Sequence, residues 1–202
     1  MTVPMALVDF IPVLLFLIAA IVIQRGLYDK MSKGAFALLC GGTIMVIAAG
    51  TMKATWKLLY ASGACDFERL NQAFFPMQSI GFLLAGIAVA AMLFFPQKKK
   101  EETLATAAAA PAVFSGTMVF VALMVLGCLG FSGGLAVYAA KQQKKTVSIL
   151  FWVAFVCMLG MGYLSSRDFT KASMNWIAEG VNILGQLILL AASIGLFARK
   201  KG

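Results

Sequence analysis

Apolar residues run almost unbroken through six stretches of the chain, and polar residues gather in the short gaps between them. The stretches are Leu7 to Ile23, Ala35 to Met52, Phe74 to Phe95, Thr117 to Ala140, Thr146 to Tyr163 and Ile177 to Phe197. Each is close to the ~20 residues that an α-helix needs to cross a hydrocarbon core of about 30 Å. None alternates as a half-buried strand does, and lipid admits only helices or closed barrels. The pattern predicts an all-α, polytopic membrane bundle of six transmembrane helices. The second stretch is expected to continue as an interfacial turn through Trp56 and Tyr60, because these aromatics favour the headgroup layer. Ala61 to Asn71 and Ser165 to Asn175 read as polar loops.

The order of features repeats: apolar run, basic loop, small-residue run, polar loop, apolar run, basic tail. A shift of 104 residues lays Asn71 on Asn175, Gly81 on Gly185, Leu83 on Leu187 and Ala88 on Ala192. A shift of 102 lays Asp66-Phe67 on Asp168-Phe169, and one of 110 lays Tyr28 on Tyr138. This predicts a 3+3 internal repeat. Residues 1–100 form the first three-helix unit, 101–116 an Ala-rich linker, and 117–202 the second unit. With three helices each, the two units are expected to run in opposite directions. Both termini then share a side, and the basic residues divide nine to eight. A seventh crossing in the linker would instead gather the clusters at Arg25–Lys33, Lys98–Lys100, Lys141–Lys145 and Arg199–Lys201, twelve against five. The stretch from Glu101 to Val113 makes only about 20 Å of helix, so six crossings are preferred.

Composition agrees with the pattern. Hydrophobic residues are 61% and charged residues 12%, where soluble domains have roughly 45–50% and 25%. The net charge of +9 comes from clusters at the ends of apolar runs. They are expected to meet lipid headgroups, so no nucleic-acid partner is expected. Cys40, Cys128 and Cys157 lie in apolar runs, Cys65 lies in a loop, and there is no CxxC, so neither a metal site nor a disulfide framework is expected. The N-terminus lacks a basic n-region and a cleavage signature, so the first run is expected to be a retained helix. Localisation is expected in the cell membrane.

There is no histidine. Most haem, non-haem iron and catalytic zinc sites need imidazole, as do histidine relays. No lysine is expected in the middle of a helix, and no hydrolase, zincin or nucleotide-binding motif occurs. Neither catalysis nor a cofactor is expected. One positional signal stands out: Asn175, Glu179, Asn182 and Gln186 are spaced by four, three and four, which is one face of a helix. Such a row is costly in lipid and should face the bundle interior. The counterparts on the third helix are Asn71, Phe75, Gln78 and Phe82. Gln78, Asn175, Glu179, Asn182 and Gln186 are therefore candidates to line a binding site or permeation path, with Asp9 and Asn71 as candidate partners. The blander alternatives are interhelical amide bonds and, for Glu179, an ordinary place near a helix N-terminus. Glycine patches (Gly41-Gly42, Gly81 with Ala85, Gly130 with Gly134, Gly160 with Gly162) read as close helix contacts.

Pro76-Met77-Gln78 resembles the Pro-Gln pair of PQ-loop sugar and amino-acid transporters. The likeness covers three residues, with Met77 between the pair and Gly180-Val181-Asn182 at the corresponding place in the second half. Those families repeat in parallel through a linker helix, which residues 101–116 are not expected to supply, and no membership is assigned.

The functional expectation is a small transporter or channel-like protein holding a polar solute near the midplane, between the third and sixth helices. A non-transporting sensor, or a subunit docking a partner membrane protein or a second copy, is the alternative. A membrane enzyme ranks third, since few acid/base groups are present.

Overall fold

The structure, a computed structural model, describes residues 2–95, 117–165 and 172–198. The linker expected at 101–116, the Arg167-Asp168 pair and the triplets Lys98–Lys100 and Arg199–Lys201 lie outside the described residues. The first rod consists of α1 (Val3–Val8) and α2 (Phe10–Leu27), closed by a 3-10 turn at Tyr28–Lys30. The break falls at Asp9 because Pro12 has no N–H for the Val8 carbonyl and its ring crowds that oxygen. Helix α3 (Lys33–Ala61) follows, with the Ser32 hydroxyl accepting from the Ala35 N–H at 3.1 Å as its N-cap. Next come α4 (Glu68–Phe94), then α5 (Thr117–Cys128) and α6 (Gly134–Lys141) joined by a π turn at Leu129–Gly133 into one rod. Helices α7 (Lys145–Ser165) and α8 (Ala172–Phe197) complete the bundle. There is no strand among the described residues.

Five rods are long and apolar enough to cross a membrane: Val3–Lys30, Lys33–Ala61, Glu68–Phe94, Met118–Lys141 and Asn175–Phe197. A shorter apolar helix covers Lys145–Met161. Their outward faces are apolar. Leu7, Ile11, Leu14, Ile18 and Ile21 form an exposed stripe along the first rod, and Ile149, Val153 and Val156 do so on α7. A surface of this kind is at home in acyl chains, and the chain is a multi-pass membrane protein.

Three expected boundaries move. Helix α3 does not end near Met52 in an interfacial turn but continues unbroken to Ala61. Lys53 and Lys57 therefore lie within its C-terminal turns. Helix α4 begins at Glu68, and α8 at Ala172, so Asn71 and Asn175 are helical, as the spacing of their rows requires.

The rods close a ring in chain order. Helix α3 packs on α1, α2 and α4; α4 packs on α5; α6 packs on α7; α7 packs on α8; and α8 returns to α2. Side-chain and backbone contacts fix the direction of each rod. Gly50 meets Val13 while Thr43 meets Gln24, so α2 and α3 are antiparallel. Gly42 meets Gly81 while Lys53 lies over Phe74, so α3 and α4 are antiparallel too. Between α4 and the next rod the numbers rise together: Phe82 meets Gly127, Gly86 meets Gly130 and Val89 meets Gly134. These neighbours run parallel. Cys157 meets Gly185 and Val147 meets Gly195, so α7 and α8 are antiparallel.

Phe95 therefore leaves the bundle at one end and Thr117 enters it at the other. The first and last described helices begin at the same end. This corrects two expectations: that the two halves run in opposite directions, and that the termini share a side.

Arg25, Lys30, Lys33, Lys141, Lys144 and Lys145 all sit at the end where α2, α6 and α8 finish. Lys144 Nζ there donates to the carbonyls of Gly195 (3.0 Å) and Leu196 (2.6 Å), capping α8. This half of the bundle is tightly packed. A Cβ on Gly86 would stand 2.7 Å from the Gly127 carbonyl oxygen, and one on Gly42 would stand 2.6 Å from that of Gly81. The expected glycine contacts are thus present at Gly42, Gly81, Gly130 and Gly134 but not at Gly41 or Gly160, which face open space. Buried hydroxyls find backbone acceptors: Ser132 Oγ donates to the Phe151 carbonyl at 2.7 Å. Gln24 Nε2 donates to Thr43 Oγ1 at 2.7 Å, tying the first rod to α3.

Candidate functional site

The opposite half of the bundle is hollow. A cavity of about 440 Å³ opens at the end where α2, α4, α5 and α8 begin. Ligand pockets are typically ~300–1,000 Å³, so this one suits a small organic solute. All seven candidates from the sequence reach its wall: Asp9, Asn71, Gln78, Asn175, Glu179, Asn182 and Gln186. The row on α8 descends from Asn175 to Gln186, about 16 Å at helical rise, and ends near the middle of that helix. Below Gln186 the same face turns mostly apolar, with Leu189, Ala192 and Leu196 fully buried and the Ser193 hydroxyl closed onto the Leu189 carbonyl.

On α4 the face differs by one residue from the expected one. Phe74 lines the cavity and Phe75 does not; Phe75 packs against the core instead. Helices α4 and α8 stand on opposite sides of the space. The cavity thus lies between the third and sixth rods, with α3 and the first rod forming much of the remaining wall.

Sequence reasoning missed Lys53, Trp56 and Lys57, which line the cavity from α3. The signal was present. Val46, Gly50, Lys53 and Lys57 are spaced by four, three and four, and all four face the cavity. Assigning the end of α3 to an interfacial turn hid that periodicity.

Charge is concentrated at the upper level. Lys57 Nζ forms an ion pair with Asp9 Oδ2 across the first rod and α3. Asp9 is only 7% exposed, and a carboxylate so placed needs such a partner. The Glu179 carboxyl lies against Asp9 and within electrostatic range of Lys57 and Lys53. The Lys53 ammonium rests over the Phe74 ring, 4.2 Å from its centroid, in a cation–π contact. Two carboxyls and two amines therefore occupy one level of the site. Trp56 stacks on Tyr60 (centroids 5.8 Å apart), and its Nε1 donates to Asp66 Oδ1 at 3.0 Å. Asp66 thus steadies the end of α3.

Three buried oxygens in this cavity accept no hydrogen bond from the protein: Asp9 Oδ1, Glu179 Oε1 and Gln186 Oε1. Buried acceptors without donors are costly, and all three belong to the same space. The floor is apolar. Phe16, Phe82 and Phe131 meet pairwise, with centroids 5.8, 6.3 and 6.2 Å apart, and none is more than 4% exposed. They come from three different rods and separate the cavity from the packed half. Among the described residues no three histidine, cysteine or acidic side chains are grouped as metal ligands would be.

No protein-family model matches the chain, and no curated protein or solved structure is significantly similar to it. The functional interpretation therefore stands on the cavity.

Proposed function

We propose that the protein is a small solute transporter of the cell membrane, with its binding site in this one-ended polar cavity. The observation that carries the proposal is the convergence of four rods' polar side chains on a space sealed at mid-depth by the three phenylalanines. A site that is open on one side and closed on the other is what alternating access requires of each of its end states. The positive-inside rule supports the direction: the cluster of Arg25, Lys30, Lys33, Lys141, Lys144 and Lys145 belongs to the cytoplasmic end. The cavity then opens away from the cytoplasm.

The internal repeat belongs to the same proposal in a revised form. Two parallel three-helix units, related by a two-fold along the bundle axis, would map each rod onto the one three places on. Shifted by 104 residues, Asn71, Gln78 and Phe82 fall on Asn175, Asn182 and Gln186, and all six line the cavity.

The test is uptake together with site-directed labelling. In a background with the exposed Cys65 changed to Ser, Ala178→Cys and Asn182→Cys should react with an impermeant thiol reagent from the non-cytoplasmic side. Glu179→Gln should reduce uptake at least tenfold. Protection of both cysteines from either side would end the proposal.

A second interpretation, a membrane receptor that binds without transporting, is favoured by how completely the phenylalanine floor is buried. It predicts ligand binding with no accumulation in vesicles.

A further inference from the structure

The cavity also carries information about its occupant. All three of its unsatisfied buried atoms are acceptors, so the missing partners are donors. Two of them are carboxylate oxygens on side chains more than nine-tenths buried, Asp9 at 7% and Glu179 at 6% exposed. The protein's own cations do not meet Glu179 fully. Lys57 is committed to Asp9 Oδ2 and Lys53 rests on the Phe74 ring, leaving Glu179 Oε1 buried and unmatched. A buried carboxylate is best relieved by a charge-assisted donor. The third acceptor, Gln186 Oε1, lies two helical turns deeper, about 10 Å along α8.

We infer that the solute is an organic amine: its protonated nitrogen lies between Glu179 and Asp9, and a second hydrogen-bond donor reaches down to Gln186. The inference rests on the solute-binding role proposed above. An ammonium fits the upper level because it would stand beside the Asp9 and Glu179 oxygens that no protein donor meets. The stretch between the two ends is bordered by Phe74, Phe82 and Met124, which suits an alkyl chain. A dianion would find no unsatisfied donor among these three atoms, and a neutral diol would leave the buried carboxylate without its counter-charge.

Four five-carbon probes of equal length separate the classes: pentane-1,5-diamine, 5-aminopentan-1-ol, pentane-1,5-diol and glutarate. Their binding to the full-length protein in lipid nanodiscs is read as protection of Ala178→Cys from thiol labelling. The two amines should protect on the order of tenfold more strongly than the diol, and glutarate should not protect, as expected for one charge-assisted hydrogen bond. Glu179→Gln should abolish that difference. Gln186→Leu should weaken the amines several-fold while leaving the advantage over n-pentylamine smaller than before. Equal protection by diol or glutarate overturns the amine assignment, as does unchanged amine binding in Glu179→Gln. If Ala178→Cys is labelled yet none of the four protects it, the amine assignment falls and the solute pathway stands. If Ala178→Cys cannot be labelled from either side, the pathway itself falls.

Discussion

The two halves of this bundle are built from the same rods and follow opposite rules. In the half beneath Phe16, Phe82 and Phe131, backbones touch at Gly42 and Gly86, and buried hydroxyls close onto carbonyls. In the half above, the same faces carry Asp9, Lys53, Lys57, Gln78 and Glu179 around open space. The lesson is that polarity here changes along a helix face and not around it. On α8 the interior face reads Asn175, Glu179, Asn182, Gln186, then Leu189, Ser193 and Leu196. Depth, not side, tells the two regimes apart.

The contrast can be broken most completely by topology. Reporters fused at Thr2 and after Ala198 should lie on opposite sides of the membrane, with the N-terminal one outside. Finding both on one side would dissolve the parallel pairing of α4 with α5 and the distinction between the ends. Next in size is the ion pair. Lys57→Met leaves Asp9 buried and unpaired, which costs about 3 kcal/mol or more; a second change, Asp9→Asn, should recover most of it in a thermal-unfolding series. If the single variant is as stable as the parent, the upper half is more hydrated than its burial suggests.

Within the packed half, adjacent glycines give an internal control. Gly42→Ala forces a Cβ against the Gly81 carbonyl and should destabilise by about 1–3 kcal/mol. Gly41→Ala meets nothing within 4 Å and should stabilise by about 0.5–1 kcal/mol through helix propensity. Equal effects at both would mean that the rods are not in backbone contact. The smallest expected change is Ser132→Ala, which removes one buried hydrogen bond and should cost on the order of 0.6 to 1.5 kcal/mol, leaving labelling of Ala178→Cys unaltered.

Much of this was legible before any coordinates. The apolar runs mark the rods because hydrocarbon requires them. The polar row from Asn175 to Gln186 marks the cavity because lipid would exclude it. Helix ends were less readable. Trp56 and Tyr60 look like headgroup anchors, and that appearance concealed two lysines whose spacing points inward. Direction was least readable of all. The parallel course of α4 and α5 depends on Gly86 meeting Gly127 and Gly130, a contact between residues about 40 apart that no local pattern encodes. The described basic residues Arg25, Lys30, Lys33, Lys141, Lys144 and Lys145 do carry that information, since all of them gather at one end.

The phenylalanine floor also has an electrical consequence. A polar vestibule open to the bath sustains little of the transmembrane field, so the membrane voltage would fall mainly across the apolar half below Phe16, Phe82 and Phe131. A monovalent cation held at Glu179 would have crossed little of that voltage on arrival. Moving it past the three rings would expose it to nearly all of the drop, about 2.3 kcal/mol per 100 mV. Inside-negative polarisation would then accelerate the second leg of the journey and scarcely alter the first.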